Sequence, residues 1–167
     1  EGYYCDKISI EKLKHFVSKE AFNIDGLGKK IIEEFWKLKL IKFPQDIFKL
    51  DYKKIEKLEG WGSLSVNNLK YSINQKKNIS LERFIFALGI RHIGLENAKL
   101  LSRHFTSFIN FLNLSKRKNY EDLLNIDGIG EIQVNSIKNF FSNEINIKVL
   151  NELGKNLAIK NVVAIQQ

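Results

Sequence analysis

The chain has no methionine, one proline and one cysteine in 167 residues. A single thiol excludes an internal disulfide and fits a reducing compartment. No run of eighteen apolar residues occurs, so no membrane span is expected. The opening stretch, Glu1-Gly2-Tyr3-Tyr4-Cys5, is polar, without an initiator methionine or the pattern of a signal peptide. It reads as a fragment cut from a longer chain. Nothing between Ser9 and Leu153 alternates convincingly as a strand, so the expected fold class is all-α.

The composition suits a globular protein: 44% of residues are hydrophobic, and 167 residues can form one compact domain or two small halves. The net charge is +8, with lysine far outnumbering arginine. The excess is uneven. Residues 1–20 sum to zero, 21–80 to +5, 81–120 to +5 and 121–167 to −2. General solubility would account for a positive balance, but its concentration over the middle of the chain suits a polyanion-binding surface.

That same region carries a repeat. Asn23-Ile24-Asp25-Gly26-Leu27-Gly28 returns as Asn125-Ile126-Asp127-Gly128-Ile129-Gly130. Leu58-Glu59-Gly60-Trp61-Gly62 and Ile90-Arg91-His92-Ile93-Gly94 are weaker copies between them. Aligned on the last glycine, the four lie 34, 32 and 36 residues apart. Apolar residues precede that glycine by four (Ile24, Leu58, Ile90, Ile126) and by one (Leu27, Trp61, Ile93, Ile129). Others follow it by four (Ile32, Val66, Ala98, Val134) and by seven (Phe35, Leu69, Leu101, Ile137). Positions +4 and +7 share a helix face, so each unit reads as a turn opening into an amphipathic helix. Four such units in register make a tandem of helix-hairpin-helix motifs, with repeats expected to pair pseudo-symmetrically two by two.

The expected elements run in order. Ser9 caps a helix to about Ser18, and Lys29–Leu40 forms one that buries Ile31, Ile32, Phe35, Trp36 and Leu38. Pro44 starts a short helix through Phe48, and Asp51 caps Tyr52–Leu58. Leu64–Lys76 follows, then a polar connector at Gln75–Asn78 that sets the best internal boundary. Ser80 caps Leu81–Leu88, Leu95–His104 follows, and Thr106 caps Ser107–Leu114. Ser115–Asn119 is basic and exposed. Tyr120–Leu124, Ile132–Phe141 and Ile145–Leu153 complete the helices. After Gly154 the pattern dissolves, and Asn161–Gln167 reads as a linker or strand start. The resulting division is 1–8, 9–77, 78–153 and 154–167.

Glycines two apart permit backbone angles closed to other residues, and the helix that starts there points its free N–H groups outward with the positive end of its dipole. That combination suits a phosphate. The candidate phosphate contacts are Gly26, Gly28, Lys29 and Lys30 in the first copy and Gly60, Gly62, Ser63 and Ser65 in the second. The third offers Arg91, His92 and Gly94, with Asn97 and Lys99 one turn on. The fourth offers Gly128, Gly130 and Gln133, with Asn135 nearby, although Asp127 and Glu131 repel phosphate. A second reading is that the glycines only allow tight helix packing. Trp36 reads as core. Trp61 occupies the apolar slot and reads as an anchor, with base stacking the alternative. His15 and His104 read as helix-surface or packing residues, and no nucleophile or carboxylate partner marks His92 as catalytic.

Leu13-Lys14-His15-Phe16-Val17-Ser18, Ile24-Asp25-Gly26-Leu27-Gly28 and Phe86-Ala87-Leu88-Gly89-Ile90-Arg91-His92-Ile93-Gly94 resemble the C-terminal half of bacterial NAD-dependent DNA ligases. The resemblance runs from Tyr4 to about Leu153. It implies a helix-hairpin-helix domain of a multi-domain enzyme that seals nicks in duplex DNA during replication and repair, using NAD, Mg2+ and a structural Zn2+. It also implies a monomer in the bacterial cytoplasm, associated with the nucleoid and not with a membrane. By the same resemblance Cys5 matches the last ligand of a four-cysteine zinc finger, and residues 154–167 lead towards a BRCT domain. One thiolate cannot make a structural zinc site, so none is expected here. The adenylation motif Lys-x-Asp-Gly is absent: neither Asp25-Gly26 nor Asp127-Gly128 has the lysine. The fragment is therefore expected to be inactive alone, with no catalytic residue and no bound NAD.

Three rival readings remain. One is a binding module of another repair or recombination protein. Another is a helix-hairpin-helix glycosylase, for which Asp46 and Asp51 are the nearest acids to the first hairpin. The third is a protein-interaction scaffold. Asn78-Ile79-Ser80 and Asn113-Leu114-Ser115 match glycosylation sequons, which carry no meaning in an intracellular chain.

Overall fold

The computed structural model describes residues 2–163, with side chains from Cys5 onward. The chain divides into two compact units, Glu1–Lys77 and Asn78–Gln167. Both are helical, as the periodicity implies.

The first unit contains α1 (Gly2–Val17), α2 (Lys29–Lys37), a 3-10 turn (Pro44–Lys49), α3 (Tyr52–Glu56) and α4 (Ser63–Gln75). Its core is built on Phe16 and Phe22, whose rings stack at 4.2 Å, with Phe48 against both. Leu13, Ile32, Phe35, Ile47, Ile55 and Ile73 close around them, each almost fully buried. A fully buried side chain of this size contributes about 2 kcal/mol relative to an exposed one. Asp51 caps α3 by accepting the Lys54 N–H. Lys14 Nζ lies 2.6 Å from Glu33 Oε1 and ties α1 to α2.

Two expectations need correction in this unit. The first helix begins at Gly2 rather than after a cap at Ser9, which lies inside α1. Residues 3–8 hold no glycine or proline, so the helix propagates through Ser9 at little cost. In α2 only Ile32 and Phe35 are buried; Leu38 is 47% exposed, and Ile31 and Trp36 are half-buried. The helix is short and its buried stripe narrow, so flanking apolar residues reach solvent.

The second unit contains β1 (Asn78–Ser80), α5 (Leu81–Ala87), α6 (Leu95–Phe105), α7 (Phe108–Leu112), 3-10 turns at Asn113–Lys116 and Glu121–Asn125, α8 (Glu131–Ser142), α9 (Glu144–Asn156) and β2 (Ala158–Lys160). Aromatic rings run through its core: Phe84 meets Phe108 at 5.4 Å, and Phe111 lies 5.8 Å from Phe105 and 5.3 Å from Phe141. Ser80 caps α5 by accepting the Arg83 N–H. The Tyr120 hydroxyl donates to the Leu114 carbonyl, and Arg117 forms a forked contact with Asp122, so the basic loop between them is anchored at both ends.

The strands were not expected where they lie. β1 and β2 pair in parallel, Asn78 with Ala158, Ile79 with Ile159 and Ser80 with Lys160. In β1 only Ile79 is buried, too short a stretch for alternation to show, and its partner arrives some eighty residues later. The strand after α9 is Ala158–Lys160, not within Asn161–Gln167, whose last four residues lie outside the described ones. Thr106 does not cap α7. It ends α6 with φ +64°, and Ser107 takes the cap by accepting the Asn110 N–H. Gly154 does not end α9, which continues to Asn156. A Cβ there would lie 2.6 Å from the Phe108 ring, so this glycine serves helix packing.

Candidate nucleic-acid interface

All four repeats fold as the same turn. Two residues before the last glycine, Gly26, Gly60, His92 and Gly128 hold φ of +88°, +83°, +65° and +91°. The next residue's N–H closes the turn onto the apolar residue three before it: Leu27 onto Ile24, Trp61 onto Leu58, Ile93 onto Ile90 and Ile129 onto Ile126, at 3.0–3.3 Å. The last glycine, extended, then becomes the N-cap of α2, α4, α6 or α8. The +4 residues Ile32, Val66, Ala98 and Val134 accordingly donate their N–H to Gly28, Gly62, Gly94 and Gly130. All +4 and +7 positions are buried, so the periodic residues seat each helix and leave its open end exposed.

His92 is the departure from the pattern. A side chain at φ +65° is strained unless the surroundings hold it. His92 Nδ1 lies 3.1 Å from Ser136 Oγ on α8. The equivalent residue of the fourth hairpin, Gly128, faces back onto α6, where a Cβ would come within 2.6 Å of Leu100 Cδ1. Leu100 and Ser136 each stand six residues after the last glycine of their own hairpin, so the contacts are reciprocal. The first unit brings its hairpins together through other positions: nothing lies within 4 Å of a Cβ on Gly60, and the contacts are made by residues seven past the last glycine. A Cβ on Gly26 would sit 3.7 Å from Leu69 on α4, and the Trp61 ring lies 5.7 Å from Phe35 on α2. Trp61 is thus half-buried against the core, which supports anchoring over base stacking.

The four helix starts are not equal. Lys29 and Lys30 are exposed at the start of α2, whose first turn carries no acid. Arg91 and His92 are exposed on the third turn, while Lys99 is half-buried further along α6. Glycine has no side chain with which to cap. In α4, α6 and α8 the third helical residue reaches back instead: Ser65 Oγ, Asn97 Oδ1 and Gln133 Oε1 accept the N–H of Gly62, Gly94 and Gly130 at 2.9–3.1 Å. Ser65 and Gln133 therefore hold the turn rather than standing free for a ligand, and Ser63 remains exposed beside them. In α2 the corresponding residue is Ile31, which has no acceptor. Glu96 and Glu131 lie in the first turns of α6 and α8, and Asp127 is exposed beside Gly128. Exposed Asp25 and Glu59 hold the same place beside Gly26 and Gly60, so this acid does not separate the hairpins. Lys29 and Lys30 on an acid-free first turn make the first hairpin best suited to an anion, and Glu131 without a neighbouring lysine makes the fourth least.

The two acids weighed for glycosylase chemistry are otherwise engaged. Asp46 accepts the N–H groups of Lys42 and Phe43, and Asp51 caps α3. His104 lies exposed on α6, edge-on to Phe105, and His15 is half-buried on α1. Cys5 is exposed on α1. Among the described residues no three His, Cys, Asp or Glu side chains cluster to hold a metal, so the residues present do not by themselves fit a structural zinc ion. No helix among the described residues is long and apolar enough to cross a membrane.

A family model described as a helix-hairpin-helix motif matches residues 83–150, which hold the third and fourth hairpins. Over 99% of its length the chain is 67% identical to a DNA ligase of Pelagibacter ubique. It is 47% identical to one of Wolbachia pipientis over 95% of its length, and 44% identical to one of Rickettsia canadensis over 94%. The chain matches a C-terminal segment of DNA ligases. It spans about a quarter of the length of these ligases: 24%, 25% and 24%. The sequence pattern located the four turns of this chain. It did not find Ser136 and Leu100, which meet the turns only through folding, nor the exposed apolar residues Leu64 and Ile132 just past the second and fourth glycine caps.

Proposed function

We propose that the segment binds duplex DNA without sequence preference, as the grip of an NAD-dependent ligase that seals nicks. The observation that carries this is the fourfold recurrence of one turn, each ending in a glycine-capped helix start, with the exposed lysines Lys29 and Lys30 at the first. Backbone N–H groups at such a start orient a phosphate oxygen, and flanking lysines add charge. Neither group reads bases, so the grip is blind to sequence. Gly26, Gly28, Lys29 and Lys30 make the strongest contact on this reading, and Gly60, Gly62, Ser63, Arg91, His92 and Gly94 the next. Gly128 and Gly130 contribute least, because Glu131 opposes an anion and the first turn of α8 brings no lysine.

The chemistry lies elsewhere in the ligase. In such a ligase NAD would supply the adenylate and Mg2+ would assist the joining at residues outside this segment, whose own residues hold the duplex. Cys5 would give one thiolate to a zinc site whose other ligands are outside this segment. The test is fluorescence anisotropy with nicked duplex, intact duplex and single strand. Equal binding of nicked and intact duplex supports a general grip; no binding of duplex at low salt removes it.

A further inference from the structure

The segment that follows α9 is tied to a strained residue. Thr106 holds φ +64° and ψ −31°, and the Ser107 N–H closes back on the Phe105 carbonyl at 2.8 Å. That pattern is a γ-turn of the rare positive-φ form. Among the described residues four that are not glycine have positive φ, and Thr106 alone of them is β-branched. A β-branched residue adopts this conformation only under strain. A crowd of donors holds the turn. The Phe105 oxygen also accepts Thr106 Oγ1 at 2.6 Å and Asn110 Nδ2 at 2.8 Å. Three donors share two lone pairs, so no one of these bonds is at full strength. The Thr106 carbonyl in its turn accepts the Val162 N–H at 2.8 Å.

The tied segment is itself lightly held. β2 pairs with β1 over three residues, in parallel, and Val162 adds the bond to Thr106. No side chain from Ala158 to Val163 is buried: Ile159 and Val162 are half-buried, and Val163 is 84% exposed. A short parallel pair without a buried face of its own is marginal. Elements with few buried contacts and exposed backbone bonds open before the core does. We propose that Ala158–Val162 is a releasable strap, docked on the second unit against strain stored in Thr106. Docking aims the Thr106 carbonyl at Val162, and release lets Thr106 relax to negative φ. Docked and released states are therefore closely balanced, as an element that switches requires. Freed and extended, residues 157–163 span up to roughly 23 Å. The strap thus sets how far any segment joined after it can stray from the second unit. It acts whether or not the hairpins hold DNA.

The test is native-state hydrogen exchange of the 167-residue chain followed by NMR, with Leu101 in α6 and Ile137 in α8, both fully buried, as core references. The Val162 amide and the hydrogen-bonded amides of β2 exchange about a hundredfold faster than these references. Thr106→Gly removes the strain and keeps the carbonyl, so strap exchange slows about fivefold. Val162→Pro removes the donor, so the β2 amides approach the exchange rate of a free chain while Ile137 stays protected. Strap amides that exchange only together with Ile137 would overturn the inference, because the segment would then be an integral part of the core. Unchanged or faster strap exchange in Thr106→Gly would overturn it too, since docking would store no strain. So would loss of Ile137 protection in Val162→Pro, since the unit could not then survive release of its strap.

Discussion

His92 Nδ1 lies 3.1 Å from Ser136 Oγ, joining the turn of the third hairpin to the helix of the fourth. This bond accompanies a histidine in the left-handed conformation that the other three hairpins give to glycine. Ser136→Ala removes the partner and leaves the strain. The expected cost is about 1 kcal/mol, read as a lower denaturation midpoint. Ser136→Thr, which keeps the hydroxyl, restores most of it. An unchanged midpoint in Ser136→Ala would mean that backbone contacts alone hold the turn.

Gly60 and Gly128 share a conformation but not a neighbourhood. Nothing lies within 4 Å of a Cβ on Gly60, whereas on Gly128 it would meet Leu100 at 2.6 Å. Gly60→Ala therefore costs only the strained backbone, about 1 kcal/mol. Gly128→Ala adds a clash in a packed interface, for a total of roughly 2–4 kcal/mol. Denaturant unfolding of both variants checks the order, and equal losses would mean that Leu100 yields freely.

The ion pair between Lys14 and Glu33 sets a pH signature. Glu33 is held below the ordinary glutamate value of 4.5, first by its hydrogen bond from Lys14. Its contribution is present above the unfolded carboxylate value and is lost as pH falls through the folded one. Lys14 is raised above 10.5, first by the bond to Glu33, so its share is lost only as pH rises beyond the ordinary lysine range. Lys14→Met should flatten the acid limb of thermal stability below about pH 4.5 relative to the unaltered chain. Parallel acid limbs in the two proteins would show that the pair contributes nothing.

Much of this was legible beforehand because repetition carries its own check. A single glycine pair has many explanations, but apolar residues at four fixed offsets in four copies leave one. Helix starts were legible where a local side chain decides them, as Asp51 and Ser80 do. What escaped depended on distant partners. Gly154 looked like a terminator because nothing nearby reveals the Phe108 ring against it. The pairing of Ile79 with Ile159 likewise has no local signature. In the site itself, Ser65 and Gln133 read as ligand donors, since sequence does not show that their oxygens already serve Gly62 and Gly130. Leu64 escaped because the helical stripe says which face is buried and not what the other face meets.

The contribution of the cationic first hairpin can be isolated by salt. Lys29→Ala with Lys30→Ala should lower the magnitude of the log–log salt slope by about 2, roughly one for each phosphate no longer neutralised. Both side chains are exposed, so stability should be unaffected. Weaker binding at constant slope would mean that the lysines do not reach phosphate.

The central claim is that several hairpins each hold a phosphate. Its most direct test is the salt dependence of intact-duplex binding by the unaltered 167-residue chain. About six phosphate contacts predict a log–log slope near −5, the same for nicked and intact DNA. A slope near zero, or no binding at low salt, would contradict the account and leave the glycines as packing devices alone.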